Sequence, residues 1–474
     1  MRYRLPRLEF FDEHGLDAQT IKSLKLIILA VAFGIINFNI VNGIAMAGYL
    51  RALGASDFVY GLLFAIAPLF APMQLAASYL LERTKARKKI LITAGLIHRA
   101  VWLPFGLIPF FIPLDNLTLR IWMAALFMIV SASTGPFMSV SFFSLAADIV
   151  PENIRGRYFA VRMKISTICG IIGGILTAWM LDSFPVFYSF ALVFTLAAFT
   201  GVMDMVCFFG VKSPEMAESP KDEDSFFQML KEVIKNKPYF RFIVFMTLWL
   251  FSLNLSAPFI LIHLREYVHL SNTLIVIGVQ ILPNICSVMI VSRWGRALDS
   301  HGNKVVMQVA NGLLCFAPFL WILTTNNSLS IVLIVAIGLM TGLLLPGFDL
   351  GANNIMLGNA PKVNRSMYIA MYFTCTSIIG IALANATGGW LLDNVFSVPE
   401  QMGLSLFGVV LNRYNYILAL SAIMRCVIVY IALPRMVRDE SSKTTAWQLL
   451  KEIRWGISKR FRRVLFMVRA RRLR

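Results

Sequence analysis

Charge is scarce in this sequence. Asp, Glu, Lys and Arg together make up 15% of its 474 residues, against roughly 25% in soluble globular chains. A water-facing surface cannot be built from so few ionisable groups, so a soluble multidomain protein, a disordered chain and a coiled coil are all excluded. Cysteine is sparse too. Cys169, Cys207, Cys286, Cys315, Cys375 and Cys426 each lie inside an apolar run, and none forms a CxxC pair. They read as small buried hydrophobes, and neither a disulfide scaffold nor a thiolate metal site follows. The histidines (His14, His98, His263, His269 and His301) are scattered, with no carboxylate cluster beside them. No metal site, cofactor site or catalytic dyad emerges, so an enzyme is not expected. The N-terminus lacks an apolar h-region: residues 1–22 alternate basic and acidic side chains. The first apolar segment is therefore expected to remain as a signal anchor.

What the sequence does have is apolar length. Hydrophobic residues reach 58% and the mean hydropathy is +0.71. A helix needs about 20 apolar residues to cross about 30 Å of hydrocarbon. Twelve such runs lie near 24–47, 58–81, 90–112, 119–147, 163–181, 187–211, 240–262, 273–292, 305–324, 329–356, 367–392 and 414–434. A transmembrane barrel would show alternating segments of roughly ten residues, and these runs are continuous and longer. The expected fold class is an all-α membrane protein of twelve transmembrane helices.

The net charge of +19 is unevenly placed. Of the forty-four Lys and Arg, thirty-eight fall in one alternating set of loops and the termini. Four (Arg51, Arg120, Arg265 and Arg413) fall in the opposite loops, and Arg99 and Arg425 lie inside runs. The positive-inside rule puts both termini in the cytoplasm and requires an even number of spans. The surplus is thus an orientation signal rather than a nucleic-acid footprint.

The chain repeats itself. Residues 151–160 read PENIRGRYFA and 361–370 read PKVNRSMYIA, sharing Pro, Arg, Tyr and Ala at an offset of 210. Pro136 and Pro346 keep that offset, and Trp179-Met-Leu-Asp182 answers Trp390-Leu-Leu-Asp393 one residue further on. Six spans plus six spans make a duplicated bundle, as in one transporter architecture. The expected organisation is a cytoplasmic N-terminus (1–23), a first six-helix bundle (24–211), a cytoplasmic linker with an amphipathic helix (212–239), a second bundle (240–434) and a basic tail (435–474). In the tail, Trp447, Leu450, Ile453, Ile457, Phe461, Val464 and Val468 recur at helical spacing among basic residues. That pattern reads as an amphipathic helix on the anionic cytoplasmic leaflet.

A loop motif accompanies this pattern, with a Gly, an Asp four residues on, then a Gly and a basic residue. It runs Gly295-Arg-Ala-Leu-Asp299-Ser-His-Gly302-Asn-Lys304, and a degenerate copy runs through Glu82-Arg83 to Arg87-Lys88-Lys89. Ser300 and Asn303 depart from the usual basic residues. With Pro151…Arg155-Gly156-Arg157-Tyr158 after the fourth run and the six-plus-six repeat, the chain resembles the major facilitator superfamily (MFS) of secondary transporters through Pro434. The resemblance implies two six-helix bundles with spans 1, 4, 7 and 10 lining a central cavity and 2, 5, 8 and 11 beside them. It also implies that Asp299 faces the start of span 5 and Glu82 the start of span 11, latching the cytoplasmic side shut. A carboxylate at a helix N-terminus is favoured by roughly 0.3–1 kcal/mol.

Four ionisable groups lie inside the runs, and each costs about 2.5–3.5 kcal/mol or more if unpaired. At the helical rise, Arg99 and Asp204 match in depth in the first half, and Asp349 and Arg425 match in the second. Two ion pairs, Arg99–Asp204 and Asp349–Arg425, are expected, with Asp349 also a group that could titrate with transport or hold a cation. The amides Asn37, Asn39, Asn42, Gln74, Asn254, Gln280, Asn284, Asn353, Asn354 and Asn385 concentrate on the helices assigned to the cavity and its flanks. Each is open to two readings, a helix–helix hydrogen bond or a substrate ligand. The expected function is transport of a small polar solute, neutral or anionic, by alternating access, with proton coupling as one option. Two alternatives are kept: an exporter of drugs or metabolites on the same fold, and a non-transporting receptor or lipid-translocating protein. The expected setting is a bacterial inner membrane, the expected state a monomer, and the expected partners a small solute and membrane lipid, with no cofactor.

Overall fold

A computed structural model describes residues 16–113, 115–151, 154–214, 226–361, 365–406, 409–437, 445–449 and 451. The helices of the first half are α1 (Ala18–Val41), α2 (Ile44–Ala52), α3 (Asp57–Leu69), α4 (Met73–Thr84), α5 (Arg87–Ala100), α6 (Trp102–Gly106), α7 (Ile108–Phe111), α8 (Leu117–Ile149), α9 (Arg155–Ser183) and α10 (Val186–Phe209). Then come α11 (Phe226–Lys235), α12 (Lys237–Asn254), α13 (Ala257–Glu266), α14 (Asn272–Val276), α15 (Leu282–His301), α16 (Asn303–Leu314), α17 (Ala317–Ile322) and α18 (Ser328–Gly358). The last are α19 (Arg365–Cys375), α20 (Ala384–Asn394), α21 (Ser397–Gln401), α22 (Arg413–Val427) and α23 (Leu433–Met436). Among the described residues, three π-helical segments, Ile277–Ile281, Thr376–Leu383 and Ile428–Ala432, interrupt the later spans. The strand structure among the described residues is one short antiparallel pairing, Ser405 with Val410 and Leu406 with Val409.

Among the described residues, eleven helical runs are long and apolar enough to cross a membrane. The expected third span, 90–112, is instead cut into α5, α6 and α7, with breaks at Val101 and Leu107. The cause is local: the rings of Pro104 and Pro109 remove ladder donors and crowd the carbonyls four residues back. Polar caps punctuate the apolar runs. Asp17 accepts from the Thr20 amide at 3.0 Å to open α1, Asn116 from Leu119 at 3.1 Å to open α8, and Asn327 from Ser330 at 3.1 Å to open α18. Asn412 and Asn415 form a reciprocal capping box at α22, and such caps typically contribute about 1 kcal/mol. The repeat is visible in the two longest helices, α8 with 33 residues and an internal Pro136, and α18 with 31 and an internal Pro346. Tyr158 of α9 donates to Leu24 O at 3.0 Å, and its counterpart Tyr368 of α19 donates to Glu232 O at 3.4 Å.

The chain packs as two compact units, and these do not follow the expected boundaries at 24–211 and 240–434. Unit 1 holds residues 1–223, 257–277 and 377–397; unit 2 holds 224–256, 278–376 and 398–474. Pieces of the second half therefore belong to unit 1, because α13, α14 and α20 pack on α2, α9 and α3. The chain passes between units at irregular helix: the gap between α12 and α13, and the π-helical segments at Ile277–Ile281 and Thr376–Leu383. The core of unit 1 is built on Leu24, Ile27, Leu91, Leu145, Met205 and Phe208, and that of unit 2 on Tyr239, Phe242, Trp249, Trp294, Met307 and Phe348. In the linker, α11 buries Val233 and packs on α19. Residues 1–15, 215–225 and 452–474, including most of the expected tail helix, lie outside the described residues.

Candidate functional site

Unit 1 encloses a cavity of about 470 Å³ bounded by α1, α5, α8, α9 and α10. Its floor is an ion pair: Arg99 Nη2 donates to Asp204 Oδ2 at 2.9 Å. Arg99 Nη1 donates to Asn37 Oδ1 as well, and Asn37 Nδ2 donates to Ala197 O at 2.8 Å. Asn37, Arg99 and Asp204 are 1%, 8% and 6% exposed, so the pair sits inside the bundle rather than against lipid. Helices α5 and α10 are packed neighbours, which is why side chains matched in depth also meet. Arg162 lines the same cavity from α9, with its guanidinium 5.0 Å from the centre of the Phe142 ring. Arg162 stands just before the apolar run 163–181, but α9 begins at Arg155, two turns earlier, so Arg162 is helical. His98 is held away from the pair by Ser131, whose carbonyl lies at 2.8 Å and hydroxyl at 3.0 Å from Nδ1.

The face of unit 1 opposite the start of α1, its distal face, is tied by side chains from both halves of the chain. Arg51 makes two bonds to the Glu266 carboxylate, at 2.9 and 3.0 Å, and pairs with buried Asp57 at 3.2 Å. Tyr60 donates to Pro258 O at 3.0 Å. Asp182, at the end of α9, accepts from the amides of Asn272 and Thr273 at 3.1 Å each. It also accepts from their side chains at 2.7 and 2.8 Å. Its repeat partner Asp393, at the end of α20, accepts from the Phe58 amide at 2.9 Å, at the start of α3. Each carboxylate thus closes a helix N-terminus, where unpaired donors and the helix dipole favour it. The Trp-x-x-Asp repeat was visible in the sequence; the role of its aspartates was not. Between α3 and α20 the backbones nearly touch, since a Cβ on Gly61 would lie 2.3 Å from Asn385 O and one on Gly389 2.3 Å from Asp57 O.

The remaining amides separate by geometry. Asn39 donates to Gly170 O at 3.1 Å and Asn385 to Phe64 O at 3.2 Å, both bonds between helices. Asn42 and Asn254 donate to carbonyls of their own helices, Phe38 O at 3.0 Å and Leu250 O at 2.8 Å. Asn354 donates to Asn303 Oδ1 at 3.0 Å. Gln280 is half-buried in the first π-helical segment, while Gln74, Asn284, Asp349 and Asn353 are exposed.

The expected Asp349–Arg425 pair is not formed. Arg425 is buried and donates to Leu253 O at 3.3 Å and Ser256 Oγ at 3.4 Å, and Ser256 in turn donates to Ser421 Oγ at 3.0 Å. Residue counting gives a depth and not a direction: α22 packs chiefly on α12 and α17, and Arg425 is spent on the end of α12 rather than on Asp349 of α18.

In the loop motif, Gly302 ends α15 at φ 89° and ψ 160°, a region essentially closed to other residues. The equivalent place after α4 is taken by Lys85 in the left-handed conformation, φ 55°, and Lys85 Nζ pairs with Glu82 at 2.8 Å. Lys304 donates to Pro434 O at 2.7 Å, and Arg155 reaches back to Ala147 O at 3.2 Å at the end of α8. Arg83 lies in the last turn of α4, Arg157 in the first turn of α9, and Gly295 and Asp299 in the last turns of α15, with Arg83, Arg157 and Asp299 exposed.

No curated protein sequence matches the chain. Solved structures do, at the level of fold. A variant of the nucleoside transporter NupG superposes with a TM-score of 0.68 at 14% identity, covering 88% of this chain and 100% of that one. A bacterial homolog of the human lysosomal transporter Spinster gives 0.62 at 13% identity, over 89% and 96%. The D-xylose–proton symporter gives 0.62 at 12% identity, over 89% and 100%. The family profile described as Major Facilitator Superfamily matches residues 26–384. The eleven apolar helices, the repeated long helices around Pro136 and Pro346 and that match identify the chain as an integral, multi-pass member of the Major Facilitator Superfamily, a transporter and not an enzyme.

Proposed function

We propose that this protein carries a small polar solute, neutral or anionic, across a bacterial inner membrane by alternating access, with both termini in the cytoplasm. The observation that supports this best is the cavity of unit 1, where a neutralised Arg99–Asp204 pair and Arg162 stand among apolar walls. Pockets of this size suit small organic ligands. On this reading the distal ties at Asp182, Asp393 and Arg51 release in the other half of the cycle. Asp299 and Glu82 latch the cytoplasmic side in turn. The exposed polar groups Gln74, Asn284, Asp349 and Asn353 are the second-half and flanking candidates for solute contact. The basic tail lies on anionic lipid, and the protein acts as a monomer.

The test is uptake and counterflow in proteoliposomes across a panel of nucleosides, pentoses, peptides and organic anions, with and without a pH gradient. Accumulation or exchange of one class supports the reading; no flux of any class overturns it. Proton coupling through Asp349 is tested in the same assay. Asp349→Asn that keeps a wild-type response to the pH gradient removes that role.

A further inference from the structure

Arg162 is a cation of unit 1 with no ion-pair partner at hydrogen-bond distance among the described residues, since the Asp204 carboxylate that lines the same cavity is bonded to Arg99. Arg99 spends two of its guanidinium nitrogens on Asn37 and Asp204, so that pair is neutral. Arg162, by contrast, makes no hydrogen bond or salt bridge among the described residues, and its Nε is buried without a partner. It is half-buried, lies over the Phe142 ring at 5.0 Å, and lines the same cavity. A guanidinium at this depth is costly without a counter-charge. A cation–π contact with a ring spends no N–H group, so the terminal guanidinium N–H groups remain to take an oxyanion through two parallel bonds. The rest of the cavity is apolar, formed by Phe38, Phe142, Phe143, Met138 and Phe208, with Ser139 and Ser166 as the neutral polar groups.

From this we infer that the cavity of unit 1 binds an organic monoanion, its carboxylate or equivalent oxyanion on Arg162 and its aromatic or aliphatic body against the phenylalanines. This narrows the transport reading above and rests on it only for the claim that the bound anion is cargo.

The experiment measures binding of naphthoate and of its neutral isostere naphthamide by calorimetry, on full-length protein in nanodiscs of zwitterionic lipid. Wild type binds naphthoate at least tenfold more tightly than naphthamide. Arg162→Gln weakens naphthoate roughly 10- to 100-fold, the range for one charge-assisted hydrogen-bonded contact, and leaves naphthamide unchanged. Arg162→Lys restores part of the loss. Where Arg162→Gln lowers the ligand-free melting temperature, Ser166→Leu supplies the second reading: it fills the cavity without changing charge and should abolish naphthoate binding. No naphthoate binding by wild type, equal affinity for acid and amide, or wild-type affinity in Arg162→Gln or Ser166→Leu overturns the assignment. Phosphatidylglycerol added to the nanodiscs separates a solute from a lipid headgroup, since displacement of naphthoate by this lipid overturns the solute assignment. The two readings fail separately. Naphthoate bound through Arg162 with no flux of any solute sinks transport and leaves the anion site. A neutral solute carried at the same rate by wild type and Arg162→Gln, with no naphthoate bound by wild type, does the reverse.

Discussion

Replacing Asp182 with alanine should open the distal face of unit 1. The carboxylate accepts four hydrogen bonds, from the backbone and side chains of Asn272 and Thr273, at 2.7 to 3.1 Å. Bonds to a charged acceptor contribute about 1.5–3 kcal/mol each when buried, but this carboxylate is exposed and solvent screens it. The four share one side chain and are not additive. A total near 2 kcal/mol is the reasonable figure, most of it from the two amides at the helix start and their dipole. That corresponds to a roughly thirtyfold gain in the open population. The assay is maleimide labelling of Ile262→Cys in a protein stripped of its native cysteines, because Ile262 is 3% exposed and lines the distal pocket with Arg51 and Glu266. Labelling in Asp182→Ala should accelerate by about that factor. Asp182→Asn should accelerate it less, since the amide oxygen still accepts. Rates within about twofold of the parent, with the melting temperature unchanged, would refute the reasoning, because the four bonds would then not hold the face closed.

Other outcomes follow from the same geometry. Gly389→Ala places a methyl against Asp57 O and should cost about 1–3 kcal/mol by overpacking, seen as a lower melting temperature and faster Ile262→Cys labelling. Asp204→Asn leaves the buried Arg99 guanidinium unpaired and should cost about 3–5 kcal/mol, while the double change Arg99→Leu with Asp204→Leu recovers most of it in a denaturation series. Gly302→Ala forces a side chain into the conformation at φ 89°, a strain of about 1–3 kcal/mol read as a drop in melting temperature, whereas Gly295→Ala, with open space around it, is neutral. Deleting Ile379 from the π-helical segment Thr376–Leu383 should restore a regular helix and slow transport without lowering the melting temperature, since such segments are frequent at functional sites. A variant that transports at the parent rate would deny the segment that role.

Much of the architecture could be read from sequence, and the reasons are specific. Apolar length is a one-dimensional property, so eleven of the twelve expected runs appear as membrane-competent helices. The exception, near 90–112, fails because two prolines break its ladder. The Arg99–Asp204 pair was readable because depth is counted along the chain and spans 3 and 6 are neighbours. The same arithmetic misplaced Asp349 and Arg425, since depth says nothing about which way round a helix a side chain points. Arg162 escaped notice for a different reason: helix α9 starts earlier than its apolar run, so a basic residue that looked like loop lies inside the bundle.

A duplicated, all-helical membrane protein of the Major Facilitator Superfamily with few charges inside its spans is already legible in the order of the residues. Hydrophobicity, offset repeats and the loop motif are carried residue by residue along the chain. Which amides are spent on helix–helix bonds, which guanidinium lines a cavity, and that Asp182 and Asp393 each cap a helix from the other half of the chain emerge from the packing alone. Those facts depend on helix azimuth and on which helices are neighbours, and both are settled by packing between segments up to 335 positions apart.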